Sequence, residues 1–125
     1  MAEAETTGTE QAGRTEQLSA LTTVTEGIRV VTLAGEIDHA TGETLRGALG
    51  SCDGSGSRVV ADLSRVTFMD SSGINIFIAA HRALTEAGGW LRLAAPGESV
   101  MRTLSIVGVD AVIDCRDTLD HALGD

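Results

Sequence analysis

The segment Phe68–Gly73, which reads Phe-Met-Asp-Ser-Ser-Gly, has residue types that suit a phosphoryl acceptor. Its carboxylate and two hydroxyls stand between a strand-like run and an apolar helical pattern, so Ser71 and Ser72 are predicted to lie at a helix start. A helix N-terminus presents unpaired backbone N–H groups and a partial positive charge, and it therefore tolerates an anion. The alternative interpretation is an ordinary cap by Asp70 or a serine, which stabilises a helix by about 0.5–2 kcal/mol. Helix physics alone favours the cap.

Covalent catalysis is the second chemistry that Ser71 and Ser72 could support. A serine hydrolase needs a nucleophile, a general base and a group that orients the base. The two serines lie at a strand-to-helix turn, but the surrounding sequence is not Gly-x-Ser-x-Gly. The three histidines are scattered at positions typical of surface or packing residues: His39, His81 and His121. We therefore predict that the protein is not an enzyme and has no catalytic residues.

Residues of the types that bind metals or cofactors do not cluster in the sequence. Cys52 and Cys115 form no Cys-x-x-Cys and no group with zinc-ligand spacing, so they are predicted to be reduced, partly buried thiols. Neither a Walker-type loop nor a Gly-x-Gly-x-x-Gly after a strand is present. The prediction is a protein without metal or cofactor.

Composition narrows the class of protein further. At 125 residues the chain is long enough for one domain, and with 42% hydrophobic but 2% aromatic residues its core must be aliphatic. A net charge of −9 argues against binding to nucleic acid or to an anionic membrane surface. No apolar signal segment or stretch of transmembrane length is present, so we predict a soluble cytoplasmic protein.

The hydrophobic pattern predicts an α/β fold. Residues 1–16 lack apolar periodicity and are predicted to form a disordered tail, which leaves residues 17–125 as the domain. Alternation on either side of Glu26-Gly27 predicts a hairpin, and the apolar run Arg58–Leu63 predicts a central strand covered on both faces. A short strand is predicted at Ala111–Ile113. The order β-β-α-β-α-β-α-β-α implies a mixed, mostly parallel sheet of four to five strands, with an N-terminal hairpin and about four helices.

The predicted helix from about Ser72 to Ala87 carries a second apolar face, formed by Ile76, Ala80 and Ala83. That face exceeds what one-sided packing requires. Burial against a neighbouring helix explains it at least as well as a partner surface. Within this helix we select Ile74, one turn from Ser71, as an exposed contact for a partner.

Residues 18–123 resemble the bacterial anti-sigma factor antagonists, which are small proteins of the STAS domain family. The resemblance is carried by segments in matching order and spacing. Leu33–Thr41 is similar to the family's strand-turn-helix entry, and Val60–Gly73 is similar to its phosphorylation segment. The segments Gly89–Leu93, Val100–Leu104 and Val107-Gly108 are similar to the last strand and helix of the family.

The resemblance implies a stress-response transcription regulator that works by partner switching. The unphosphorylated protein would bind an anti-sigma factor that is also a serine kinase of ATPase fold, and so free the sigma factor. Phosphorylation of the first serine of the pair, Ser71, would end binding, and a serine phosphatase would reset it.

The resemblance also implies which residues and assembly to expect. The protein would act as a monomer, with partner-binding residues at the two matching turns: Asp38, His39, Asp70, Ser72 and Gly73. The alternative is a STAS subunit of a lipid or anion transport complex, using the same surface as a binding module.

Overall fold

The computed structural model describes the backbone of residues 11–14 and all atoms of residues 17–50 and 56–124. Its strands are β1 (Gln11–Arg14), β2 (Leu18–Thr25), β3 (Ile28–Ile37), β4 (Arg58–Met69), β5 (Trp90–Ala94) and β6 (Asp114–Arg116). Its helices are α1 (Gly42–Gly50), α2 (Ser71–Glu86), α3 (Glu98–Ile106) and α4 (Leu119–Leu123), with 3₁₀ turns at His39–Thr41 and Val109–Ala111.

Within the described residues the strands form one mixed sheet of order β1-β2-β3-β4-β5-β6. Pairing is antiparallel from β1 to β3 and parallel from β3 to β6, which confirms the predicted α/β fold and N-terminal hairpin. The sheet has more strands than predicted because Gln11–Arg14 pairs with Ser19–Thr22. The predicted disordered tail is therefore wrong over Gln11–Arg14, while residues 1–10 lie outside the described residues. The last strand begins at Asp114, after the predicted Ala111–Ile113.

Both faces of β4 are covered over Val59–Leu63, as the apolar run predicts. Val59, Ala61 and Leu63 face the main core with α1, α2 and α3, whereas Val60 faces a smaller cluster beneath α4. All four of these β4 side chains are fully buried. The strands β3 to β6 are parallel and lie side by side in chain order. Crossovers of the same hand therefore place α1, α2 and α3 on one face of the sheet.

The second half of β4 departs from strict alternation. Its pairing with β3 shifts register twice, and each shift adds one residue to β4. Across the shifts, Thr32 pairs with Asp62 but Ala34 with Arg65, and Gly35 pairs with Val66 but Glu36 with Phe68. The buried residues of this half consequently recur at every third position: Leu63, Val66 and Met69.

Two arginines hydrogen-bond to the carboxyl end of α4, which packs on the face of the sheet opposite α1. The Arg92 guanidinium lies 3.9 Å from the ring centroid of Trp90 and donates hydrogen bonds to the carbonyl oxygens of Ala122 (2.9 Å) and Gly124 (2.6 Å). Arg116 donates to the carbonyl of His121 at 2.8 Å. Cations near the carboxyl end of a helix stabilise it, so a helix of five residues stays docked.

Two side chains of the last strand, Asp114 and Cys115, have pKa values shifted from their ordinary values. Hydrogen bonding from Arg116 holds the pKa of the Asp114 carboxyl below its ordinary value. Burial, with the nearby Asp110 and Asp114 carboxylates, raises the pKa of the Cys115 thiol to about 11. A thiol with that pKa is protonated at neutral pH and is a poor nucleophile. Cys115 is free and partly buried, as predicted, and Cys52 lies outside the described residues.

Candidate functional site

The two turns singled out from the sequence lie side by side at the carboxyl ends of β3 and β4. Ile37 and Met69 are paired in the parallel ladder, so Asp38 and Asp70 each follow the same rung. The backbone N–H of Asp70 donates to the carbonyl of Ile37 at 3.1 Å, which ties the two turns together. This edge of a parallel sheet is where α/β proteins commonly place their functional residues.

Asp70 is the N-cap of α2. Its backbone is extended, its Oδ1 accepts a hydrogen bond from the N–H of Ser72 at 2.8 Å, and its carbonyl accepts one from Ile74 at 3.3 Å. Of the caps left open by the sequence, the structure thus uses the aspartate and not a serine. Ser71 is the first residue of the helix and is exposed, and Ser72 is partly exposed. The Ser71 hydroxyl takes no part in the cap.

The turn after β3 is closed by a reciprocal pair of hydrogen bonds. The N–H of Asp38 donates to Oγ1 of Thr41 at 2.8 Å, and the N–H of Thr41 donates to Oδ1 of Asp38 at 3.1 Å. The Thr41 hydroxyl also donates to the carbonyl of Glu36 at 2.9 Å, and Thr41 is fully buried. This arrangement is a capping box, and it leaves His39 and Ala40 exposed at the top of the turn. Asp38 shapes the turn, whereas His39 is available for contact.

Gly73 allows the two turns to approach each other. A Cβ at this position would collide with Cγ2 of Ile37 and would lie 3.0 Å from Cγ of Met69. Gly73 lies inside α2 and is buried, so it serves close packing and not backbone flexibility. A larger residue would push Ser71 and the rest of the first helical turn away from β3.

The prediction that Ile74 is an exposed partner contact is wrong. Its side chain is 5% exposed and belongs to the main core with Phe77 and Leu84. Phe77 and Leu84 lie three and ten positions after Ile74, which is the spacing of the helical face that packs on the sheet.

The second apolar face of α2 borders a groove between α1 and α2. Ile76 is 8% exposed and is the most buried of its members, because it packs toward α1, where a Cβ on Gly42 would lie 3.4 Å from Cδ1 of Ile76. Ala80 and Ala83 line the groove, which has a volume of about 720 Å³. His39 and Ser72 also line it, so the groove opens beside the two turns. Burial against the neighbouring helix therefore accounts for Ile76, and small side chains leave the groove open.

The fold and these turns can be set against known proteins. The family model described as STAS domain matches residues 19–122, and the chain belongs to this family. It is 32% identical over 84 residues to an anti-sigma-B factor antagonist of Bacillus subtilis (strain 168), an alignment covering 67% of this chain and 77% of that protein.

Solved structures of antagonists share the fold. The crystal structure of an anti-sigma factor antagonist from Mycobacterium paratuberculosis superposes with a TM-score of 0.80 at 30% identity, covering 89% of this chain and 95% of that chain. The anti-sigma factor antagonist SpoIIAA in its unphosphorylated form superposes with a TM-score of 0.67 at 26% identity, covering 83% and 92%.

Two further observations concern other classes of function. Across residues 17–50 and 56–124, no group of three or more His, Cys, Asp or Glu side chains is placed to hold a metal ion. None of the helices in the described part of the chain is both long and apolar enough to cross a membrane.

Proposed function

We propose that this protein is an anti-sigma factor antagonist controlled by phosphorylation of Ser71. In its unphosphorylated form it binds an anti-sigma factor that is also a serine kinase of ATPase fold, and the sigma factor is released. The kinase phosphorylates Ser71 and binding ends, until a serine phosphatase removes the phosphate. The protein is thus a cytoplasmic binding regulator and a kinase substrate, and not an enzyme.

The placement of Ser71 is the observation that carries this proposal. Because Asp70 caps α2 through the N–H of Ser72, the fold does not need the Ser71 hydroxyl. The hydroxyl stands exposed on a turn that the Ile37 carbonyl and the buried Gly73 hold in place. The names of the relatives add support, since they are anti-sigma factor antagonists and one is described in an unphosphorylated form.

The charge of a phosphate explains how the switch works without a large change in shape. A phosphoserine adds about −1.5 to −2 charges at neutral pH. At Ser71 this charge would sit next to Asp70, and the N-terminus of α2 would compensate part of it within the folded protein. In the complex the phosphate must be desolvated close to the nucleotide phosphates of the kinase. A penalty of about 3 kcal/mol would weaken binding by over a hundredfold.

The other predicted partner-binding residues divide into two roles under this proposal. Asp38, Asp70 and Gly73 position the turns through the cap hydrogen bonds and the close packing. His39 is exposed and Ser72 partly so, and these two contact the partner directly.

The test is a pull-down from the native lysate with the Ser71→Ala and Ser71→Asp proteins as baits. Ser105→Ala is the matched control, because it removes an exposed hydroxyl near the end of α3 and keeps both Ser71 and Ser72. We expect Ser71→Ala and Ser105→Ala to retain an ATPase-fold kinase that Ser71→Asp loses, and calorimetry to give affinities of Ser71→Ala and Ser71→Asp over a hundredfold apart. Equal affinities would refute the switch. Retention of the same transporter subunits by all baits would establish the alternative, a STAS subunit of a transport complex.

A further inference from the structure

Phe68 is turned outward by the second register shift between β3 and β4. With strict alternation, the buried Val66 would place Phe68 in the core and Met69 outside. The extra residue reverses this, so that Met69 is 4% exposed and Phe68 is 47% exposed. Bulges commonly re-aim a side chain beside a functional site. The bulge here places the thioether of Met69 in the core instead of the phenyl ring of Phe68, which lies two residues before Asp70.

Exposure of Phe68 is notable in a chain with so few aromatic residues. The sequence contains two phenylalanines, one tryptophan and no tyrosine. Phe77 is fully buried, and Trp90 is half-buried beneath the Arg92 guanidinium. Large aromatic side chains are the strongest contributors to a protein core, so placing Phe68 outside weakens the core that it could have joined.

Phe68 also differs in location from other exposed apolar residues. Val24 pairs with Arg29, at the end of the sheet where β3 begins. Ile106 and Val107 lie at the end of α3, from which the chain leads to the start of β6. Because β6 runs parallel to its neighbour β5, both residues lie at the end of the sheet where the parallel strands begin, away from Ser71. Among the large hydrophobic residues that the described part of the chain exposes, Phe68 is the one beside Ser71.

We infer that Phe68 is the apolar anchor of the surface that binds the anti-sigma factor, an assignment that rests on the function proposed above. The partner of Phe68 is an apolar pocket in that protein, wide enough for a phenyl ring. Glu36 pairs with Phe68 across the ladder and is exposed, so the rim of the pocket carries a Lys or Arg facing Glu36. Binding hot spots are typically aromatic side chains that fill such pockets, within a rim of weaker polar contacts.

The experiment measures calorimetric affinities for the kinase retained by the Ser71→Ala bait, with every variant built on Ser71→Ala. Phe68→Ala is expected to bind about thirtyfold more weakly. Ile106→Ala is the matched control, because its side chain is 76% exposed at the far end of the sheet, and its affinity should stay unchanged. Glu36→Gln should weaken binding a few-fold and reduce its dependence on salt.

A second measurement separates contact from stability. The photoreactive residue p-benzoylphenylalanine is placed at position 68 or 106, and the protein is irradiated with the kinase. Cross-linking from position 68 and none from position 106 supports the anchor, even where Phe68→Ala lowers the melting temperature. Unchanged affinity of Phe68→Ala, or equal cross-linking from both positions, overturns the anchor and leaves the proposed function standing. If Ser71→Ala retains no anti-sigma factor, the proposed function and the anchor fall together.

Discussion

The turn after β3 and the turn after β4 begin alike and end differently. Each opens with an aspartate in extended conformation that caps the following helical turn, and the two aspartates follow one rung of the sheet. In the first turn, the hydroxyl of Thr41 is buried and engaged in the capping box. In the second turn, Asp70 accepts from a backbone N–H and the Ser71 hydroxyl remains exposed at the surface.

This difference shows how one local motif provides both a scaffold and a site for modification. The capping box uses its hydroxyl to fix backbone groups that would otherwise be buried without partners. The simple cap needs only the carboxylate, and the adjacent hydroxyls are free to serve chemistry. Loss of the Thr41 hydroxyl should therefore lower the stability of the protein, whereas loss of the Ser71 hydroxyl should not.

Gly73→Ala is expected to have the largest effect, because it forces the two turns apart. The added methyl group would overlap Cγ2 of Ile37, and we expect a loss of about 2–3 kcal/mol in the free energy of unfolding. Gly47→Ala is the matched control, since Gly47 lies in α1 with open space around it. That change should stabilise by about 0.5–1 kcal/mol. Urea denaturation measures both, and a neutral Gly73→Ala would show that the turns are not closely packed.

Thr41→Val should rank next. Valine has nearly the same shape, so the change removes the hydroxyl and leaves the N–H of Asp38 and the carbonyl of Glu36 without this partner. A buried polar group left unpaired costs about 1–3 kcal/mol, and we expect about 2 kcal/mol here. The exposed Thr25→Val serves as the control in the same denaturation series. Equal stability of the two variants would contradict the structural role given to the Thr41 hydroxyl.

The smallest effects on the free energy of unfolding are expected for Asp70 and Ser71, in the turn after β4. Asp70→Ala should cost about 1 kcal/mol, whereas Asp70→Asn keeps a capping oxygen and should cost little. Ser71→Ala should change stability by less than about 0.5 kcal/mol, since its hydroxyl takes no part in the cap. Thermal unfolding checks all three. A loss with Ser71→Ala as large as with Thr41→Val would abolish the distinction between the turns.

Much of the fold could be predicted from the sequence, because strong periodicity and turn residues mark the elements. The strand Trp90–Ala94 and the helix from Ser71 to Glu86 lie within one residue of their predicted bounds. The nearness of the two turns is implied by the resemblance to the STAS family, and the parallel pairing of Ile37 with Met69 provides it. The strand Gln11–Arg14 was not predicted, because its pairing with β2 depends on backbone hydrogen bonds that an apolar pattern does not report.

The exposure of particular side chains was harder to predict. The helix after Ser71 is apolar on two faces, and periodicity alone does not tell which face lies on the sheet, so the burial of Ile74 does not follow from the pattern. The outward position of Phe68 does not follow from the sequence for a related reason. Register shifts between β3 and β4 depend on both strands, and a single-strand pattern does not reveal them.

The three-residue spacing of Leu63, Val66 and Met69 bears on how this protein can change over evolutionary time. Substitutions at Ser64 and Arg65 would meet solvent and leave this spacing intact, whereas a substitution at Phe68 would remove the proposed anchor. Insertion or deletion of one residue would instead shift the downstream turn by one rung and expose a different side chain where Ser71 now stands. In this part of the chain, the number of residues decides which side chains reach the core and which reach the surface.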